Sequence, residues 1–205
     1  MYIMLIISLL LTFSYKLIDI LIMKTLLKRM EKYTVLVWAI ITIVLLPLFN
    51  MEYIFTTPIN YHKAVPIFVV LILVYIVSAR FSGYNPRGKY NITNFIITYP
   101  IIEEIIFRGL ILPNLKQFFG STEVIQVFNM SVTIPVIVSA ILFAICHLQY
   151  YKLSALSIRF MIIAFLGGIF LGAMTEMTQS ILLALILHIT FNLFSVIFGK
   201  KILKG

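Results

Sequence analysis

The stretch YPIIEEIIFRG, residues 99–109, sets Glu103, Glu104 and Arg108 inside an otherwise apolar segment. On insertion scales a charge at membrane depth costs roughly 2.5–3.5 kcal/mol, so three so close together require a partner, a hydrated cavity or a chemical task. The apolar background continues to both ends of the chain. Of the 205 residues, 62 % are hydrophobic and only 11 % charged, with a mean hydropathy of +1.10. So few charges cannot build a water-facing surface, which excludes a soluble globular domain and leaves the lipid bilayer as solvent. The single cysteine, Cys146, excludes an intrachain disulfide and any CxxC motif. The net charge of +9 would suggest nucleic acid in a soluble chain. Here it reads as membrane orientation, and no nucleic-acid partner is expected.

A helix crossing about 30 Å of hydrocarbon needs roughly 20 mostly apolar residues, which leaves room for about seven spans. Segments 2–23, 33–49, 65–79, 95–118, 134–149, 158–174 and 179–198 fit, the third short and the fourth interrupted. They predict an all-α, polytopic bundle of about seven transmembrane helices in the cell membrane. The first segment lacks a basic leader region and a small-residue cleavage site, so it reads as a retained span rather than a signal peptide. Its Lys16 and Asp19, three apart, neutralise each other. Twelve of the 16 basic residues fall on alternate connections and the tail: Lys24, Lys28, Arg29, Lys32, Arg80, Arg87, Lys89, Lys152, Arg159, Lys200, Lys201 and Lys204. The opposite side holds Lys63 and Lys116, while Lys16 and Arg108 lie within helices. That asymmetry predicts an N-terminus outside and a cytoplasmic C-terminus. His62, in an outer connection, reads as solvated. Gly83, Asn85, Pro86 and Gly88 form a turn-rich connection. It divides one structural domain into residues 1–90, with the first three helices, and residues 91–205, where the chemistry is expected. Between the fourth and fifth spans only a brief, weakly amphipathic connection is expected.

Glu104 and Arg108 are four apart and share a helix face, so they can pair, whereas Glu103 is turned away by about 100°. Taken alone, that is a neutral pair stabilising the helix, with Glu103 snorkelling to an interface. Pro100 either breaks a hydrogen bond or opens a new helix, which would put the carboxylates near a first turn whose dipole favours them. Two further clusters follow: Phe143 and His147 in FAICH, and His188 and Asn192 in HITFN. Singly, His147 reads as a hydrogen-bonded core histidine, Phe143 as packing, and His188 with Asn192 as an interhelical pair. The antiparallel alternation nevertheless places all three clusters in the inner half of the bilayer. Glu103 lies about 12 Å from the inner end of its span and His188 roughly 15 Å from that of its own; His147 lies near the end of its span.

Carboxylates, two imidazoles and an amide at one depth make a hydrolytic site, and two chemistries are open. In one, Glu103, His147 and His188 hold a divalent metal such as zinc, which acidifies a bound water. In the other no metal is needed: a glutamate or His147 deprotonates water, while His188 and Asn192 stabilise the oxyanion. The contiguous HExxH pattern is absent, and spacing does not choose between the two. Cys146 points about 100° away from His147 and reads as a small buried hydrophobe. Ala164, Gly168 and Gly172 form a small-residue stripe for close helix approach.

The three motifs resemble those of the CPBP family of intramembrane proteases, the CAAX-processing and bacteriocin-processing group whose bacterial members are often called Abi proteins. Its two glutamates and arginine stand here as Glu103, Glu104 and Arg108; its Phe and His as Phe143 and His147; its last His and Asn as His188 and Asn192. The resemblance implies a membrane-embedded peptidase that cleaves near the C-terminus of a peptide or protein substrate: a prenylated CAAX tail, or a bacteriocin or peptide-pheromone precursor. It implies a catalytic set of Glu103, Glu104, His147, His188 and Asn192, supported by Arg108 and Phe143. Glu103 would act on the water with His147 beside it, and His188 and Asn192 would stabilise the transition state. The metal stays conditional, and the expected partners are the substrate and membrane lipid. A rival from another class is a non-catalytic bacteriocin-immunity or interaction protein that keeps the motifs. A third reading, a transporter, would more often carry a second copy of the cluster.

Overall fold

The computed structural model of the protein describes residues 2–49, 51–84, 86–150 and 152–202. Asn85 of the turn-rich connection, Lys204, and the side chains of Lys200 and Lys201 lie outside the described residues. Each of the seven apolar segments carries helix: α1 (Tyr2–Thr12) and α2 (Ser14–Met23), α3 (Lys28–Leu48), α4 (Tyr61–Ala79), α5 (89–119), α6 (Ile134–Gln149), α7 (Ala155–Thr178) and α8 (Leu182–Ile202). Among the described residues four helices are individually long and apolar enough to cross a membrane: α3, α4, α7 and the 182–199 part of α8. A fifth is added if α1 and α2, bent by 68° at Phe13, count as one span.

The lateral faces expose apolar side chains, among them Ile3, Val44, Leu73, Val77 and Ile162. This is the inverse of a water-soluble surface and suits contact with lipid. Inside, Tyr53, Leu71, Ile106, Leu112, Val136, Met174 and Leu187 are fully buried. Helices α6 and α7 pack closely because the small-residue stripe allows it. A Cβ at Gly168 would lie 3.1 Å from the Ala140 Cβ, and one at Gly172 3.1 Å from Val136.

The third segment is longer than its apolar run. It begins at Tyr61, after Asn60 in a left-handed conformation (φ 57°), and Pro66 lies within it. His62 and Lys63 occupy exposed positions of the first turn, so the polar residues do not mark the helix boundary. Similarly, α7 starts early because Ser154 and Ser157 form a reciprocal capping box, and it ends at left-handed Gln179 (φ 53°).

Two expectations are corrected. The chain is mostly helical, as expected, but the connection after α5, expected to be brief and weakly amphipathic, is an antiparallel hairpin, β1 (Glu123–Val127) with β2 (Met130–Thr133). Its turn residues Phe128 (φ 49°) and Asn129 (φ 57°) both take positive φ, as a tight two-residue hairpin requires. Pro100 does not open a helix either, because α5 runs uninterrupted from Lys89 past it, with π-helical turns at Asn94–Thr98 and Ile105–Ile111. The glutamates therefore sit mid-helix and gain nothing from a first-turn dipole.

Candidate active site

In α5 the neighbouring glutamates diverge. Glu104 is fully buried, and its Oε1 accepts from Arg108 Nη1 at 3.1 Å and from His188 Nδ1 at 2.8 Å. Arg108, also fully buried, donates its Nη2 to the Gly168 carbonyl at 3.2 Å, and its guanidinium lies 4.4 Å over the Phe143 ring. Gly168 thus has a second use: a side chain there would crowd Arg108 Nη2, 3.3 Å from the Cβ position. Glu103 points the other way and lines a cavity of about 710 Å³ together with Phe143, His147, His188 and Asn192. Its Oε2 is 3.7 Å from His188 Nε2, and its Oε1 receives the Tyr150 hydroxyl at 3.5 Å.

The structure therefore brings the three motifs to one cavity. It also separates the paired glutamates, because Glu104, expected among the catalytic groups, stands behind the wall with Arg108 and does not line the cavity. It holds His188 through Nδ1 and leaves Nε2 facing Glu103. His147 is oriented by its own helix: Nδ1 donates to the Phe143 carbonyl at 3.0 Å, so in the neutral ring Nε2 carries the lone pair. Phe143 does more than fill space, since it packs edge-on against both imidazoles, with ring centroids at 5.5 and 5.6 Å.

Pro100 has a local part in placing Asn192. In the π-helical turn Tyr99 N–H bonds to Asn94 O, five residues back. The next bond of that ladder would run from residue 100 to Phe95 O, and proline has no N–H. The orphaned Phe95 carbonyl instead accepts Asn192 Nδ2 at 2.7 Å.

The conditional metal triad does not fit. Among the described residues no group of three or more His, Cys, Asp and Glu side chains is arranged to hold an ion. The Nδ1 atoms of His147 and His188 are held by Phe143 and Glu104, which orients both rings and leaves their Nε2 atoms for other partners. Cys146 is buried, with its Sγ on the Phe143 carbonyl, as expected of a packing residue. Lys16 and Asp19 pair at 3.4 Å, and Lys24 joins them at 3.5 Å.

Sequence reasoning missed Tyr150, Tyr15, Tyr99 and Gln149, which also line the cavity. For Tyr150 a signal existed: three residues after His147 on a 3₁₀ turn, it lies on the same face. For Tyr99 one existed too, since it lies four residues before Glu103 on the same helix; for Tyr15, on a distant segment, spacing offered none.

A family model described as "Type II CAAX prenyl endopeptidase Rce1-like" matches residues 88–194 of the chain, somewhat more than half of it. No curated protein and no solved structure matches.

Proposed function

The chain belongs to the Rce1-like type II CAAX prenyl endopeptidases, membrane-embedded proteases, and from that premise we propose that it hydrolyses a peptide bond near the C-terminus of a peptide or protein substrate. The observation that carries this reading is the shared cavity: Glu103, His147, His188 and Asn192 face one space, while Glu104 and Arg108 brace it from behind.

In the proposed mechanism a water lies between Glu103 and His147 Nε2. Glu103 takes its proton as the oxygen attacks the scissile carbonyl, and later returns it to the leaving amine. The oxyanion is held by an Asn192 N–H not used on Phe95 and by His188. With His188 Nδ1–H on Glu104, Nε2 donates only when the ring carries both protons. Water exclusion by the apolar walls strengthens each of these contacts.

The substrate is a prenylated CAAX tail or a bacteriocin or pheromone precursor, reached from the cytosolic side. The chain crosses the cell membrane seven times with its N-terminus outside, a topology supported by the one-sided distribution of basic residues. Residues of the basic connections and the helix ends beside them, Glu31, Ser82 and Tyr84 among them, line the cavity.

The test is cleavage of a panel of C-terminal peptides, prenylated and plain, by the protein in lipid nanodiscs. Glu103→Gln and His147→Ala are each expected to lower kcat by at least about 10²-fold while the protein stays folded. Undiminished cleavage by both variants sinks the assignment.

A further inference from the structure

The first helix breaks at Phe13, and the break frees the Thr12 carbonyl and the Lys16 N–H, which an unbroken helix would join. In hydrocarbon such groups must find partners. Both find the same one: Gln149 Nε2 donates to Thr12 O at 2.7 Å, and Gln149 Oε1 accepts from Lys16 N at 2.9 Å. One side-chain amide thus replaces one backbone hydrogen bond across more than 130 residues of sequence.

Its position makes this more than a repair. Gln149 lies between His147 and Tyr150 on a single 3₁₀ turn, so whatever anchors it anchors both of them. On the other side of the bridge, Tyr15 adjoins Lys16 and meets the Tyr150 ring edge-on with centroids 4.9 Å apart; Tyr99 packs on that ring at 5.4 Å. Clamped between them, Tyr150 directs its hydroxyl at Glu103 Oε1. Residues 12–16 lie outside the 88–194 match, so nothing in the family resemblance calls for them.

We propose that the broken first helix is part of the active site: Gln149, Tyr15 and Tyr150 are positioning residues, and Tyr150 holds the Glu103 carboxylate in line with the attacking water. The inference rests on the proteolytic reading above for its consequence, but its geometry stands apart from it.

The experiment is a double-mutant cycle of Gln149→Leu and Tyr150→Phe in nanodiscs, with folded protein quantified by size exclusion and thermal melting. Two readouts are taken: kcat and KM on a cleaved peptide, and the rate at which dicyclohexylcarbodiimide labels Glu103, followed by mass spectrometry and independent of turnover. Each single variant is expected to lower kcat per folded enzyme about tenfold with KM little changed, the double no more than the worse single. Glu103, deprived of a donor to its charged form, labels several-fold faster in all three. If Gln149→Leu lowers only the melting temperature, or if the losses add, the proposal is overturned and the bridge is helix repair alone. If the wild type cleaves nothing, the proteolytic reading fails while the labelling cycle still decides this one. Should Gln149→Leu not fold, Tyr15→Leu takes its place in the cycle.

Discussion

At two places in this bundle where a helix loses a backbone hydrogen bond, a side-chain amide facing the cavity takes the vacant place. At the α1–α2 break both a donor and an acceptor are orphaned, and Gln149 engages both ends of its amide. At Pro100 in α5 a carbonyl alone, that of Phe95, is orphaned, because the missing donor is proline, and Asn192 meets it with one N–H. An amide carries two N–H donors and a carbonyl. After these bonds Asn192 keeps one N–H and its carbonyl, whereas Gln149, with its carbonyl on Lys16 N and one N–H on Thr12 O, keeps a single N–H and is pinned at both ends. The kind of break thus decides whether the amide that mends it is held at one end or at both.

The sharpest way to break this comparison is Asn192→Leu. If its second N–H stabilises the oxyanion, kcat falls by about 10²–10³-fold with KM little changed; a loss no larger than that of Gln149→Leu would make the two amides equivalent. Pro100→Ala tests the cause. It restores an N–H that competes for the Phe95 carbonyl, so the Asn192 amide loses its anchor and kcat falls by about three- to tenfold, with thermal stability maintained or raised. Unchanged kcat would mean that the carbonyl accepts both donors and the proline is incidental. The mildest test is Ser14→Ala at the first break, which removes the acceptor of the Trp38 Nε1 hydrogen bond. It is expected to cost about 0.5–1.5 kcal/mol of stability and leave kcat untouched, because Gln149 and not Ser14 sets the register of the break. A fall in kcat would shift that role to Ser14.

The parts of the site governed by local geometry were legible. The Glu104–Arg108 pair follows from i, i+4 spacing, as does the divergence of Glu103 from it, since both are set within a helical turn and a half. The hairpin was missed although alternation and Asn129 marked it, because the apolar background made a plain connection between spans the simpler reading. Of the two readings of Pro100, the broken hydrogen bond holds and the new helix does not, and spacing could not give the partner of the freed carbonyl. Here the partner lies 97 residues away, on α8.

By itself the sequence determined that this is a membrane protein, where its helices lie, and which three clusters carry costly polar groups, because composition and the helical period act locally. Only the tertiary structure decided that Glu103 faces the cavity while Glu104 braces His188, and that Gln149 ties the first helix to the site. Such contacts depend on where distant backbones are brought together, and spacing along the chain carries no record of that.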